Sequence, residues 1–105
     1  MNRFVIFGAG NDLKIFTREY PIKQFKVIGI VDNNKAGDQF EGFTICDKSI
    51  LKKLQADVII AISSRKFFKE IRDEVYSINP KFVCIPLRNI FSYLDKIGYC
   101  NICTK

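Results

Sequence analysis

The sequence predicts an α/β fold, a three-layer Rossmann-like sandwich built on a parallel sheet of about five strands in the order 3-2-1-4-5 with right-handed crossovers. Three observations predict it. Short β-branched or aromatic runs alternate with helix-period segments, the pattern of βαβ units. The runs Phe4-Val5-Ile6-Phe7 and Val58-Ile59-Ile60-Ala61-Ile62 are apolar at every position, as central strands covered on both faces must be. The first of them runs straight into Gly8-Ala9-Gly10 and a helical segment, a strand-turn-helix order suited to a ligand's phosphate.

Strand one is Arg3 to Phe7, and the helix after it starts near Asn11, carries Leu13, Ile15 and Phe16, and is stopped by Pro21. Strand two, Lys26 to Val31, ends at Asp32-Asn33-Asn34. Residues 33–42 are polar and glycine-containing, so they read as a loop before a short third strand, Phe43-Thr44-Ile45-Cys46. Asp47 is placed to cap a helix from Lys48 to Gln55 with Ile50, Leu51 and Leu54 on one face. Strand four is Asp57 to Ile62. Ser63-Ser64 then cap a helix from about Arg65 to Tyr76, where Phe67, Phe68, Ile71 and Val75 recur at helical spacing. Strand five, Phe82 to Ile85, ends at Pro86, and a last amphipathic helix runs from Arg88 to Ile97 with Gly98 as its stop. The domain spans residues 1–99, leaving 100–105 as a tail.

At 105 residues and 48% hydrophobic content, the chain is the size of one domain and can bury roughly 65% of its unfolded surface. No apolar run approaches the ~20 residues of a membrane span, and no basic segment precedes a signal-peptide core. A cytoplasmic protein is expected. The net charge of +6 favours phosphate-bearing partners. Its lysines and arginines are scattered, without the dense stripe or aromatic platform of nucleic-acid modules, so no nucleic-acid partner is expected. Cys46 and Cys84 fall in apolar runs where a reduced thiol acts as a small hydrophobe. There is no histidine, which removes the commonest general base, the Ser-His and Cys-His pairs, and histidine metal ligands.

In a parallel sheet, ligands bind beyond the carboxyl ends of the strands. Gly8-Ala9-Gly10-Asn11-Asp12-Leu13 matches the first two glycines of G-x-G-x-x-G and has Leu13 at the third. Gly8 allows the tight turn, and Gly10 lets backbone approach a phosphate at the helix N-terminus. Asp12, in the first helical turn, would repel a pyrophosphate, and the turn also reads as a plain connection. Asp32 ends strand two about twenty residues later, where an acid accepts hydrogen bonds from ribose hydroxyls. Asn33 and Asn34 supply polar contacts to base or sugar, or simply make a turn. Ser63, Ser64, Arg65 and Lys66 form a hydroxyl and cation cluster suited to phosphate, or a capped helix start with solvated charges. Lys35 and Gly37 belong to the same rim. No tyrosine has a lysine four residues on, so short-chain dehydrogenase chemistry is unsupported, and no self-contained catalytic constellation is present.

Cys100-Asn101-Ile102-Cys103 is half of a tetrahedral zinc site, which needs four ligands. A tail without a role, the start of a truncated zinc module and a redox pair all fit it. A further domain beyond Lys105 and a homo-oligomer stay open.

Across residues 3 to 86, the run Phe4 to Gly10, then Val27-Ile28-Gly29-Ile30-Val31-Asp32-Asn33, Gly37, Gly42-Phe43-Thr44-Ile45 and Asp57 to Ile62, resembles the Rossmann-like N-terminal domain of bacterial polysaccharide-biosynthesis proteins. These include sugar-nucleotide epimerase-type proteins and sugar acetyltransferases. The resemblance implies a small domain that binds a nucleotide-sugar while a separate β-helix carries catalysis, or one whose turn binds NAD. By resemblance, Gly8, Gly10, Asp32 and Lys35 fall on binding positions and Ser63 on the loop lining the site. Three functions follow: a nucleotide or nucleotide-sugar binding module of a larger transferase, an NAD-dependent oxidoreductase or epimerase domain, and a non-catalytic interaction domain with an empty turn.

Overall fold

The computed structural model describes residues 3–96. In chain order the elements are β1 (Phe4–Phe7), α1 (Asn11–Glu19), β2 (Val27–Val31), β3 (Gln39–Phe40), β4 (Phe43–Thr44), β5 (Ile59–Ile62), α2 (Phe68–Ile78), β6 (Val83–Pro86) and α3 (Ile90–Lys96). Three 3-10 turns join them at Ile22–Gln24, Lys48–Lys53 and Leu87–Asn89.

Every residue of β1 and β5 is buried, and these strands form the middle of a four-stranded parallel sheet ordered β2-β1-β5-β6. Side chains alternate across a strand, so β1 feeds two cores. Phe4 and Ile6 pack with Leu13 of α1 and Ile90 and Leu94 of α3, while Val5 and Phe7 pack with Val75 of α2 and Leu51. Helices thus cover both faces. Each fully buried Leu, Ile or Phe contributes about 1.5–3 kcal/mol. Leu13, fully buried, anchors α1 to the sheet.

Pairing of Phe7 with Val31 and Ile62, and of Ile62 with Pro86, lines up the carboxyl ends of all four strands. The residues that follow, Gly8, Asp32 and Ser63, therefore meet at one edge.

The expected five-stranded order is corrected at its outer strand. Phe43–Thr44 folds back antiparallel on Gln39–Phe40, and segment 43–46 reaches the main sheet only through a parallel bridge between Cys46 and Val31. The cause is the two-residue turn between β3 and β4, where Glu41 (φ 46°) and Gly42 (φ 87°) both take positive φ. That conformation makes a tight hairpin and turns the chain before it can run along β2. Two helix boundaries also change. The segment after Asp47 is a 3-10 turn ending at Lys53, because the Asp47 carboxylate accepts from Ser49 N at 2.9 Å, an Asx turn that winds more tightly than an α-helix. The helix after β5 starts at Phe68, since Ser64 Oγ accepts from Phe67 N at 3.1 Å and holds the chain in a loop.

Among the described residues no helix is long and apolar enough to cross a membrane. Ile97, Gly98, Cys100 and Cys103 lie outside the described residues.

Candidate functional site

Beyond the strand ends lies a cleft of about 560 Å³. Its floor is Phe7, Gly8, Gly10, Asn11 and Asp12 from the β1–α1 connection, its rims are Asp32 to Asn34 and Ser63-Ser64, and one wall is α2 with the residue preceding it. The volume falls in the range of small-ligand sites, roughly 300–1,000 Å³.

Gly8 is locked into the scaffold. Its φ of 113° disfavours any residue with a Cβ, its N–H donates to Val31 O at 2.7 Å, and a Cβ there would collide with Ser63 Oγ. Ser63 is buried, and its hydroxyl donates to Gly8 O at 2.7 Å with a longer approach of 3.3 Å to Phe7 O. That hydroxyl works inside the fold, tying the turn after β1 to the end of β5.

Gly10 behaves differently. It stands at the N-cap of α1, brings no side-chain cap to the first-turn amides, and has nothing within 4 Å of where a Cβ would sit. Backbone donors at Asn11 and Asp12 therefore adjoin open space. Ala9 is buried and outside the cleft lining, its amide donating to Asp32 Oδ2 at 2.9 Å. Asp32 Oδ1 accepts from Asn34 N, also at 2.9 Å. These two bonds fix the carboxylate at the cleft rim, and each oxygen keeps acceptor capacity for a ligand hydroxyl. Asn33 Oδ1 accepts from Lys48 N at 2.9 Å, which leaves its amide NH2 as the group for a ligand.

The electrostatics run against the protein's net charge. Asp12, Asp32, Glu70 and Glu74 line the cleft and no lysine or arginine does. Lys48 reaches in only as far as Glu74, at 2.7 Å. Lys35 and Arg65 stand outside the lining, and Arg65 contributes its backbone N–H to Asp12 Oδ2 at 3.1 Å. Chemically the cleft offers amide donors and carboxylate acceptors. No serine in it is paired with a base, for Ser63 donates to carbonyls and Ser64 accepts from an amide. Among the described residues the cleft carries no hydroxyl paired with a base, and its donors and acceptors are of the kind that hold and orient a polar ligand.

Sequence reasoning missed the α2 wall: Phe67, Glu70, Ile71 and Glu74. The signal was present as the i, i+3, i+4, i+7 spacing of one helix stripe, adjacent to the core stripe that contains Val75.

No curated protein and no solved structure matches the chain. A family model does, across residues 1–81, which takes in β1 through α2 and so every element that lines the cleft. By that match the chain belongs to the C2185-like N-terminal domain family.

Proposed function

We propose that this domain is a Rossmann-like nucleotide-binding module, holding a nucleotide or nucleotide-sugar for bacterial surface-glycan synthesis in the cytoplasm as part of a larger transferase. The observation that carries the reading is the joint placement of the uncapped Gly10 turn and the fixed Asp32 carboxylate on one cleft, at adjacent strand ends. The Asn11 and Asp12 amides face a phosphate, assisted by the α1 dipole. Asp32 accepts from ribose hydroxyls, and Asn33 and Asn34 contact the base or sugar. Phe67, half exposed on the cleft wall, offers an aromatic face to a planar base. The resemblance of residues 3 to 86 to N-terminal domains of polysaccharide-biosynthesis proteins supports the choice of a nucleotide-sugar.

Thermal-shift titration with NAD, UDP-sugars, CDP-sugars and CoA tests it. A ligand at ~100 times its Kd adds about 2.7 kcal/mol of stability, so one of the nucleotides is expected to raise the melting temperature clearly. Unchanged melting with every one of them overturns the reading.

A further inference from the structure

A bound nucleoside diphosphate has to place its negative charge, and the α2 wall of the cleft, with Glu70 and Glu74, repels it. The other direction is different. Asp12 and Ser63 line not only the main cleft but also a second one of about 170 Å³, so the two clefts share a ridge. The second cleft has apolar sides from Ile15, Phe16 and Leu87 and carries two guanidinium groups, Arg65 and Arg88. Both arginines are exposed, and among the described residues neither forms a salt bridge. Asp12, the acid between them and the main cleft, already accepts the Arg65 backbone N–H at 3.1 Å.

We infer that this second cleft is an anion subsite, in which Arg65 and Arg88 take the distal phosphate of a ligand whose nucleoside lies in the main cleft. The location of the nucleoside rests on the function proposed above; the anion subsite stands on the two arginines. Its volume is below the roughly 300 Å³ at which whole-ligand sites begin and is several times the roughly 30 Å³ share of one water. It suits a phosphate group better than a whole nucleotide. Planar guanidinium groups match phosphate oxygens in pairs, which a lysine cannot do. The ligand then crosses the Asp12–Ser63 ridge, turning away from Glu70 and Glu74 toward a cleft in which two guanidinium groups outweigh the single carboxylate of Asp12.

Isothermal titration of the full chain with inorganic pyrophosphate, uridine and UDP separates the two ideas. Arg65→Ala and Arg88→Ala are exposed changes that leave the Arg65 backbone bond intact, and Lys81→Ala, before the opposite end of β6, removes the same charge elsewhere. Each arginine variant is expected to weaken pyrophosphate and UDP about tenfold, the loss of one charge-assisted contact, with uridine and Lys81→Ala unaffected. Pyrophosphate that does not bind, or that binds the arginine variants as it binds the parent, overturns the subsite. Equal weakening by Lys81→Ala overturns it too, by showing a general field effect. UDP binding that ignores both arginines also defeats the subsite and leaves the nucleotide reading standing. Arginine-dependent pyrophosphate binding without uridine or UDP binding supports the subsite and rules out a uridine nucleotide in the main cleft.

Discussion

The two ends of the glycine turn stand two residues apart and do opposite work. At Gly8 the backbone is left-handed, the carbonyl is held by Ser63 and the amide by Val31, so the residue belongs to the scaffold. At Gly10 the backbone is extended, the surroundings are open and the helix is uncapped, so the fold places no demand on a bare Cα there and the residue is free for the binding role proposed for it. A motif with two glycines thus contains one position that folding requires and one that it leaves open, to which the proposed function assigns binding. They are separable by substitution.

Gly8→Ala should have the largest effect. Strain at positive φ costs about 1–3 kcal/mol, and displacing Ser63 Oγ from Gly8 O leaves a part-buried carbonyl without its partner for about 1–3 more. Urea denaturation should show a loss of about 3–5 kcal/mol; a loss under about 1 would contradict a scaffold role for Gly8. Combining it with Ser63→Ala sharpens the point, because removing the colliding hydroxyl should make the double variant less unstable than the sum of the singles. Asp32→Ala comes next. It strips acceptors from the Ala9 and Asn34 amides, so about 1–3 kcal/mol of stability should go together with affinity for a ribose-containing ligand. Unchanged affinity would reject its role at the ribose.

Gly10→Ala should leave stability within about 0.5 kcal/mol or raise it slightly by stiffening the unfolded chain, while weakening ligand binding. The smallest effect lies away from the turn. Burial pushes the Cys84 thiol up to about 11, against opposing help for the thiolate from Tyr76 and Arg72. The folded state then holds that proton more tightly than the unfolded chain, so stability present below 9.0 is lost as pH rises toward about 11. Melting curves at pH 8 and 10.5 should show a drop that Cys84→Ala reduces.

Much of this was legible in the residues. The all-apolar runs of β1 and β5 announced central strands, and the spacing from Gly8-Ala9-Gly10 to Asp32 announced that those groups share one edge. The hairpin was not legible, because Glu41 is an unusual residue for positive φ and Phe43-Thr44-Ile45-Cys46 reads as one strand until the turn is seen. As a serine at a strand end Ser63 reads as a hydroxyl for a ligand, yet its hydroxyl points into the fold, a direction that depends on the register of β1 with β5. The family resemblance puts Lys35 on a binding position and the hydroxyl and cation cluster at the helix start suggests Arg65, but neither lines the main cleft. Side-chain direction sends Arg65 to the neighbouring cleft and leaves the main one lined with acids instead.

The central claim, that the Gly10 end and Asp32 together hold a nucleotide, is tested most directly by following backbone amides during an NMR titration with a UDP-sugar and with NAD. Saturable shifts are expected at Gly10, Asn11, Asp12, Asn33 and Asn34 with one of them. Shifts that avoid these residues, or none with either ligand, would contradict it.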